Sequence, residues 1–336
     1  MNRILDGKTV VLVSPDFFGY ENRIAKEVSK LGGRCIYIND RVSGNPFVKA
    51  IFRLKLGFLL GPWKKRFYQN HLDLMVTLDY LIVISPEVID RAWLRSVRYK
   101  FPRSRFVLYM WDSIQNKPKG NRLQSLFDDV FSFDFSDCQS SSFKFRPLFF
   151  NGKLETTGNK IKRHKYDLCF LGTLHGDRYS VLDRLESSLK TGNIRFFKFI
   201  FFPNKYIFLL MRIVNAEYRS IPIGDISFQA MPYEGYLKTL SSSATVVDIN
   251  HPSQNGLTMR TLEVLFGANK LITTNESIVH YDIYHPDNVT VIDREHPVVP
   301  TSFFSTPFRA LDAKIMERYS ITSWLVEILD LCERDL

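Results

Sequence analysis

Short apolar runs alternate with helix-like segments along the first half of the chain. The runs are TVVLVSP (9–15), RCIYIND (34–40), LDYLIVISP (78–86) and SRFVLYMWD (104–112). Each has the length and the β-branched content of a strand that is buried on both faces. The segments at 20–31 and 87–101 instead place apolar residues at helical spacing, which predicts helices. Buried strands joined by helices predict a parallel sheet that is covered on both sides.

The same alternation resumes after residue 165. Predicted strands lie at 166–173, 244–250, 270–275 and 288–293, and predicted helices at 175–189 and 258–268. Apolar residues at helical spacing in 311–332 predict a C-terminal helix. Residues 151–165 are polar and basic, which is typical of a linker. We therefore expect an α/β protein with two tandem domains.

The composition agrees with two globular domains and adds a strong charge. The chain has 336 residues, with 45 Lys and Arg against 35 Asp and Glu, a net charge of +10. That charge indicates a polyanionic partner, and 28 Phe residues suit a membrane surface as well as stacked bases. Four widely spaced cysteines give no metal-binding pattern. We find no signal sequence and no run suited to span a membrane, and we expect a cytoplasmic protein.

The segment 248–275 (DINHPSQNGLTMRTLEVLFGANKLITTN) carries the strongest candidate for an anion site. After a predicted strand, its loop contains Gln254, Asn255, Gly256 and Leu257, and Thr258 opens a helix. Backbone N–H groups at such a loop and helix start can hold a phosphate. Arg260 adds a charged donor, and Glu263, one turn later, can accept hydrogen bonds from ribose hydroxyls. The alternative is a capped helix whose Arg260 and Glu263 are solvated.

A second candidate turn lies in FLGTLHGDRY. Gly172 and Thr173 end a predicted strand there, and His175 and Arg178 add possible donors. The alternative is an ordinary turn between a strand and a helix. The glycine-rich phosphate-binding fingerprints, the nucleophile-elbow motif and histidine pairs with metal-ligand spacing are all absent from the sequence.

The segment 41–72 is a block of basic residues without an acidic one. Its cations are Arg41, Lys49, Arg53, Lys55, Lys64, Lys65 and Arg66, and Phe and Trp residues lie among them. Apolar and cationic side chains together bind anionic lipid surfaces, so this block predicts a peripheral membrane contact. A solvated basic face and a nucleic-acid groove are the alternatives.

The tandem α/β pattern and the 248–275 motif together resemble the GT-B glycosyltransferases of bacterial capsule and O-antigen synthesis. The resemblance rests on YDLCFLGTLHGDRY, SFQAMPYEGY and QNGLTMRTLEVLFGANKLITTN with the trailing YDIYHPDNVTVID, and more loosely on LYMWDSIQNKP and DDVFSFDFSDC. It implies two Rossmann-like domains with a cleft between them. The acceptor domain would be 1–155, the nucleotide-sugar domain 166–318, and residues 319–336 a helix that packs back on the first domain.

The resemblance also implies roles for individual residues. Glu263 would bind the ribose, and Tyr233 would lie near the base. The remaining donor-binding residues would be Gly172, Thr173, His175, Arg178, Gln254, Asn255, Gly256, Leu257, Thr258 and Arg260. The nucleotide-sugar would be a substrate, and no cofactor or metal is expected. The two glutamates spaced seven residues apart in retaining members are absent, because Gly256 and Lys270 stand seven residues from Glu263; the stereochemistry therefore stays open.

Glycosyl transfer also needs a base for the acceptor hydroxyl. Asp16 and Asp112 follow predicted strands of the first half, and strand ends of such sheets face ligands. Asp112 is the better candidate because Trp111 beside it can stack on a sugar. The alternative for each carboxylate is a helix cap or a turn former.

We therefore expect a metal-independent glycosyltransferase that moves a sugar from a nucleotide donor to a growing bacterial surface glycan or a lipid-pyrophosphate-linked acceptor. Contact of 41–72 with the inner face of the plasma membrane would suit such an acceptor. A nucleotide-sugar epimerase on the same fold is the first alternative. A nucleic-acid-binding protein is the second, but the sequence has no recognisable nucleic-acid-binding motif, so no nucleic acid is expected.

Overall fold

The computed structural model describes residues 3–16, 19–41, 61–150 and 164–331, without the side chains of Thr191 and Tyr233. The chain forms two compact units. Unit 1 comprises Met1–Asn151, Ser253–Gly256 and Glu317–Leu336, and unit 2 comprises Gly152–Pro252 and Leu257–Met316. Most of the predicted linker, 151–163, lies outside the described residues.

Unit 1 is built on a parallel sheet with the strand order β2-β1-β3-β4-β5-β6. Its strands are β1 (Thr9–Ser14), β2 (Arg34–Asn39), β3 (Tyr80–Ile84), β4 (Arg105–Met110), β5 (Asp129–Ser132) and β6 (Lys144–Phe145). Its first helices are α1 (Tyr20–Lys30), α2 (Gly61–Leu74), α3 (Arg91–Lys100), α4 (Lys119–Leu123) and α5 (Phe135–Ser140). Strand β1 is buried at every position, as its apolar sequence predicts.

Helix α3 begins later than the sequence predicts. The predicted helix started at residue 87, but Asp90 is the N-cap of the observed helix and its Oδ1 accepts a hydrogen bond from Trp93 N at 3.0 Å. Residues 87–89 form a turn instead, because the buried carboxylate of Asp40 accepts the backbone N–H groups of Val88 and Ile89. A tertiary contact therefore delays the helix by one turn.

Unit 2 is built on a second parallel sheet with the order β12-β11-β10-β7-β8-β9. Its strands are β7 (Tyr166–Thr173), β8 (Phe196–Phe201), β9 (Ile226–Ser227), β10 (Ser243–Asp248), β11 (Lys270–Thr273) and β12 (Val289–Val291). Its helices are α6 (Arg178–Ser188), α7 (Lys205–Val214), α8 (Ala216–Arg219), α9 (Tyr233–Ser241), α10 (Met259–Phe266), α11 (Thr301–Ser305) and α12 (Ala313–Arg318), the last of which ends in unit 1. Counted from β7, this is the strand order of dinucleotide-binding domains. Strands β7, β8 and β9 follow each other towards one edge of the sheet, and β10, β11 and β12 follow each other towards the other, so the strand order reverses between β7 and β10.

The C-terminal segment contains two helices where the sequence pattern suggested continuous helical spacing. Helix α12 is followed by Ser320, whose extended backbone breaks the helix and whose side chain accepts Ser323 N at the start of α13 (Ile321–Leu329). Helix α13 belongs to unit 1, where the ring of Trp324 lies 4.9 Å from those of Tyr109 and Phe149. The expected return of the C-terminal helix to the first domain is confirmed, as is the α/β fold class.

Candidate functional site

The predicted donor residues of unit 2 meet where its sheet reverses strand order. Strands β7 and β10 are neighbours there, with Phe170 beside Val247, and they end at Thr173 and Asp248. The chain continues from these ends into α6 and α10. Ligands of open parallel sheets bind beyond the strand ends at such a reversal, so this edge is the candidate donor site.

Arg178, at the start of α6, ties the two strand ends together. Its Nε donates to Ile249 O at 2.9 Å and its Nη1 to Thr173 O at 3.1 Å. The guanidinium forms no ion pair with any described residue. Burial lowers the pKa of Arg178, and the positive charge of Arg260 lowers it further. The charges of Asp248 and Asp177 oppose this lowering only in part, and a bound anion would add further negative charge beside the guanidinium.

Arg260, by contrast, has a carboxylate beside it. Its Nη1 lies 3.6 Å from Oδ1 of Asp248, which is buried and whose Oδ2 accepts the hydroxyls of Thr258 and Thr261 at 2.9 and 3.0 Å. Burial disfavours the charged form of Arg260, but the charge of Asp248 and the contact with Tyr236 outweigh it and raise the pKa. Asp248 was not among the predicted site residues, although it stands at the start of the quoted motif.

A third arginine at the same edge, Arg294, was also missed. Its Nη1 donates to both carboxylate oxygens of Asp177 at 2.7 and 2.8 Å, and its Nη2 donates to Asn250 Oδ1 at 2.9 Å. Three guanidinium groups thus share the edge with the carboxylates of Asp177 and Asp248. The arginine without a carboxylate is Arg178.

The side chain of His175 stands beside that of His251, with ring centroids 4.9 Å apart. Burial lowers the pKa of His175, and the charge of Arg178 lowers it further. At neutral pH His175 is therefore a neutral side chain that can donate one hydrogen bond.

Glu263 lies on α10, and its carboxylate accepts a hydrogen bond from Tyr236 Oη of α9 at 2.7 Å. Burial, followed by the charge of Glu263, raises the pKa of Tyr236 well above its ordinary value, so the phenol stays protonated and keeps donating. Tyr233 is the first residue of α9, but its side chain lies outside the described part of the structure.

The packing at Gly172 explains why a glycine stands near the end of β7. A Cβ there would lie 2.7 Å from the ring of Phe170 and 3.4 Å from Nη1 of Arg260. Thr173, the last residue of the strand, is exposed. Any side chain at 172 would therefore clash with the ring of Phe170, next to the arginine of the candidate site.

The loop Ser253–Gly256 belongs to unit 1, whereas Leu257, Thr258, Arg260 and Glu263 belong to unit 2. The backbone N–H groups of Asn255 and Gly256 both donate to Oδ2 of Asp134 at 3.0 Å. A Cβ at Gly256 would lie 2.5 Å from the ring of Phe133. The carboxylate of Asp134 thus accepts the two backbone N–H groups that the sequence analysis assigned to a phosphate. Of the two other predicted residues nearby, Gln254 is half-buried and Leu257 is buried.

Asp112 follows β4 at the carboxyl edge of the unit 1 sheet. Its Oδ1 accepts Ser113 N at 3.0 Å and Asn116 Nδ2 at 3.1 Å, while its Oδ2 has no hydrogen-bond partner among the described residues. Asp16 follows β1, two strands away, and is exposed. The two predicted bases therefore follow strands of the same sheet at the same edge, and those strands lie about 10 Å apart.

Asp137 is a third carboxyl group at this edge that sequence reasoning missed. Its Oδ2 accepts Ile114 N at 3.0 Å and Ser132 Oγ at 3.1 Å. Burial raises its pKa, and the negative charges of Asp134 and Asp112 raise it further. Asp137, Ser132 and Asp134 all stand within the segment DDVFSFDFSDC, but Ile114 and Asp112 come from more than 20 positions away.

The described part of the basic block is partly neutralised. Arg41 makes a two-pronged ion pair with Glu87, at 2.7 and 2.9 Å, and Lys64 lies 3.1 Å from Asp90. Lys65 and Arg66 are exposed. The other cations of the block, Lys49, Arg53 and Lys55, lie outside the described residues.

Known proteins resemble this chain in structure, but none of the sequence comparisons found a match. No protein-family model matches, and no curated protein matches significantly. The solved structure of Anabaena Alr3699/HepE with UDP-glucose is 9% identical, with a TM-score of 0.60, and the match covers 96% of this chain and 100% of that one. The lipopolysaccharide outer core galactosyltransferase WaaB is 14% identical, with a TM-score of 0.54 and coverage of 96% and 100%.

A UDP-GlcNAc 2-epimerase from Methanocaldococcus jannaschii, solved with UDP-GlcNAc and UDP, also matches. It is 11% identical, with a TM-score of 0.50 and coverage of 95% of this chain and 99% of that one. Identities this low establish the fold alone. The chain has the two-domain α/β fold of the GT-B glycosyltransferases, so the predicted resemblance is confirmed at that level. The same fold serves an epimerase, so it does not choose the reaction.

Proposed function

We propose that the protein is a glycosyltransferase that moves a sugar from a nucleotide-sugar donor onto a growing bacterial surface glycan. The observation that carries the proposal is Arg178, a half-buried guanidinium at the strand-order reversal of unit 2 that lacks a carboxylate partner. A diphosphate is the natural counter-ion for such a group, because it accepts hydrogen bonds and supplies the missing charge.

In this proposal each residue at the edge of unit 2 has a distinct role. Arg178 and Arg260 bind the diphosphate and stabilise the charge that it gains as it leaves, and the start of α10 at Thr258 adds backbone donors. Gly172 and Thr173 leave room beside the diphosphate, and His175 donates a hydrogen bond. Glu263 accepts hydrogen bonds from the ribose hydroxyls, and Tyr233 is assigned to the nucleobase.

The residues of the loop before α10 are proposed to contribute to donor binding in two different ways. Gln254 is proposed to contact the donor, as is Leu257. Asn255 and Gly256 can offer their amides to a phosphate only after Asp134 releases them. We therefore assign these two residues the weaker contribution to donor affinity.

The acceptor hydroxyl is proposed to lose its proton to Asp112. Oxygen Oδ2 of Asp112 accepts that proton while the acceptor oxygen bonds to the anomeric carbon. The bond from that carbon to the diphosphate oxygen breaks, and the nucleoside diphosphate leaves with the electron pair. This single displacement inverts the anomeric centre and uses no metal or cofactor. Asp16, exposed at the same edge, is the alternative base.

A cavity of about 620 Å³ in unit 1 supports an acceptor that carries phosphate. Its charged lining residues are Glu87, Asp90, Arg91, Lys117, Lys119 and Arg122. Glu87 is paired with Lys117, and Asp90 with Lys64, which leaves three of the lining cations without a carboxylate among the described residues. Burial lowers the pKa of Lys119, so an anion would be favoured there. A lipid-pyrophosphate-linked glycan fits this charge.

We place the enzyme in the cytoplasm, on the inner face of the plasma membrane, where the basic block 41–72 would meet anionic lipid. None of the helices in the described ranges is long and apolar enough to cross a membrane. Nucleic acid is not a proposed partner.

Thermal shift with UDP, GDP, CMP, ADP and dTDP tests the donor class. A nucleotide at 100 times its Kd should stabilise the protein by about 2.7 kcal/mol. Incubation of the matching nucleotide-sugar without acceptor then separates the two enzyme classes. A glycosyltransferase leaves the sugar configuration unchanged, whereas an epimerised product would favour the alternative reaction.

A further inference from the structure

Helix α7 exposes an apolar surface that nothing in the proposed reaction uses. Five of its ten residues are large, apolar and more than half exposed: Tyr206 (81%), Ile207 (52%), Leu210 (58%), Ile213 (72%) and Val214 (69%). Single exposed apolar residues are common, but a contiguous group of five on one short helix is not.

These five residues occupy one face of the helix. At 100° per residue, Ile213, Tyr206, Leu210, Val214 and Ile207 follow each other around an arc of about 120°. No charged residue lies within that arc. Phe208 lies on the opposite side and is fully buried.

The orientation of α7 is fixed by packing on that opposite side. The ring of Phe208 lies 5.5 Å from Phe202, 6.0 Å from Tyr218 and 5.7 Å from Phe228. Asn204 caps the helix by accepting Tyr206 N and Ile207 N at 2.9 and 3.1 Å. Because the buried face is anchored in this way, the apolar arc is held towards solvent.

Cations flank the apolar arc at both ends of α7. Lys205 is its first residue, and Arg219 returns to its last turn, where Nη2 donates to Ile213 O at 3.2 Å. Arg212 donates to Arg219 O at 3.2 Å. Glu217 is the one acidic residue in 203–220. An apolar face on a helix with a cation at each end and no acidic residue of its own complements an anionic lipid surface, because long basic side chains can extend to the head groups.

The size of the surface also favours lipid over a second copy of the chain. Five side chains on a helix of ten residues expose a few hundred Å², whereas a stable dimer buries about 800 Å² per partner. A bilayer needs no matching surface, and it accepts a helix that lies flat with its apolar side chains among the acyl chains.

We propose that α7 binds the surface of an anionic bilayer through Tyr206, Ile207, Leu210, Ile213 and Val214. This surface belongs to unit 2, whereas the basic block 41–72 belongs to unit 1. The proposal does not depend on the glycosyltransferase assignment, because it rests on exposure and charge alone.

Co-sedimentation with vesicles tests the proposal. Wild-type protein and the double variant Leu210→Asp, Ile213→Asp are each mixed with vesicles of phosphatidylglycerol and phosphatidylcholine, and with vesicles of phosphatidylcholine alone. Val298→Asp is the matched control, because Val298 is equally exposed (69%) in the same unit but lies outside α7. We expect the double variant to lose at least tenfold in affinity for anionic vesicles and the control to bind like wild type. An unchanged melting temperature of both variants shows that they are folded.

Two results would overturn the proposal. One is a folded double variant that binds anionic vesicles as well as wild type, which would assign lipid binding to another surface. The other is a wild-type protein that ignores vesicles but forms dimers in sedimentation velocity that the double variant abolishes, since α7 would then bind a second copy.

Discussion

Arg178 and Arg260 are both predicted to bind the donor, but their charge environments differ. Arg260 lies near Asp248, so its charge is balanced within the protein. Arg178 is held by the carbonyls of Thr173 and Ile249, which accept hydrogen bonds without supplying a full negative charge. Burying a charge without a partner is costly, and a ligand that removes the cost gains affinity.

Glu263→Ala should weaken binding of the nucleotide without unfolding the protein. Loss of hydrogen bonds from ribose to a charged acceptor costs about 1.5–3 kcal/mol, or roughly a 10- to 150-fold rise in Kd. Titration calorimetry with the nucleotide that gives the largest thermal shift measures the change. Glu217→Ala, an exposed glutamate of the same unit, is the control. Equal affinity of folded Glu263→Ala and wild type would remove Glu263 from the site.

Asp112→Asn should lower turnover by about 10²- to 10⁴-fold, the usual loss when a general base is removed. Donor affinity should stay unchanged, because the amide keeps the shape of the carboxylate. Asp16→Asn is measured in parallel with the same donor and acceptor. A near-normal Asp112→Asn beside an inactive Asp16→Asn would identify Asp16 as the base, and retention of configuration would exclude the base role of Asp112.

Glu87→Gln should lower the free energy of unfolding at neutral pH, and this difference from wild type should shrink in acid. Burial alone raises the pKa of Glu87, but hydrogen bonds and charge from Arg41 and Lys117 outweigh it and lower the pKa from 4.5 to about 2. The ionised group therefore contributes stability that is fully present above pH 4.5 and is lost as the pH falls towards 2. Such a shift is worth about 3 kcal/mol.

Urea unfolding of wild type and Glu87→Gln between pH 7 and pH 3 tests this expectation. The difference in free energy of unfolding between wild type and Glu87→Gln should become smaller as the pH falls below 4.5. Glu217→Gln is the control. A gap that is the same at pH 7 and pH 3 would contradict the account of the Arg41–Glu87–Lys117 cluster.

At the residue scale, sequence reasoning could find only residues that stand close together in the chain. Arg178, Arg260 and Glu263 were accessible because each lies in the first two turns of a predicted helix that follows a predicted strand. Arg294 was not, because it reaches Asp177 from 117 positions away. The partnership of Asp134 with Asn255 and Gly256 likewise spans more than 120 positions, and no local pattern signals it.

At the scale of elements, one missed region is a nearly continuous apolar run. β8 and α7 form the run FFKFIFFPNKYIFLLMRIV, which shows neither strand alternation nor a clean helical face. The break between α12 and α13 was missed because apolar periodicity resumes in phase after Ser320, so only the cap marks it. Strands β1–β4, β7 and β10–β12 were predicted because each is apolar and bounded by polar turns, whereas β5, β6 and β9, with two to four residues each, are too short for a pattern.

Trp324→Ala tests how much α13 contributes to unit 1. Trp324 is fully buried against Tyr109 and Phe149, so truncation leaves a large cavity and should cost about 3–5 kcal/mol. Chemical denaturation measures the loss, with Trp324→Phe expected to retain part of the stability. A loss below 1 kcal/mol would show that α13 contributes little to the core of unit 1.

At the scale of the whole molecule, each of the two six-stranded parallel sheets carries one part of the proposed reaction. Unit 2 has the strand order of a dinucleotide-binding domain, with the candidate donor residues at its reversal point. Unit 1 carries Asp112, Asp16 and the basic cavity at the carboxyl edge of its own sheet. The matched structures share the fold, and the chemistry of this chain has to be argued from its own side chains.

The proposed function depends above all on the binding of a nucleoside diphosphate at the edge of unit 2 beside Arg178. Its most direct test is a calorimetric titration of wild type, Arg178→Gln and Arg195→Gln with the nucleotide selected by thermal shift. Arg195 is an exposed arginine of the same unit that pairs with Asp167, so it controls for the loss of one positive charge. We expect Arg178→Gln to raise Kd at least tenfold and Arg195→Gln to bind like wild type. Equal affinity of all three folded proteins would contradict it.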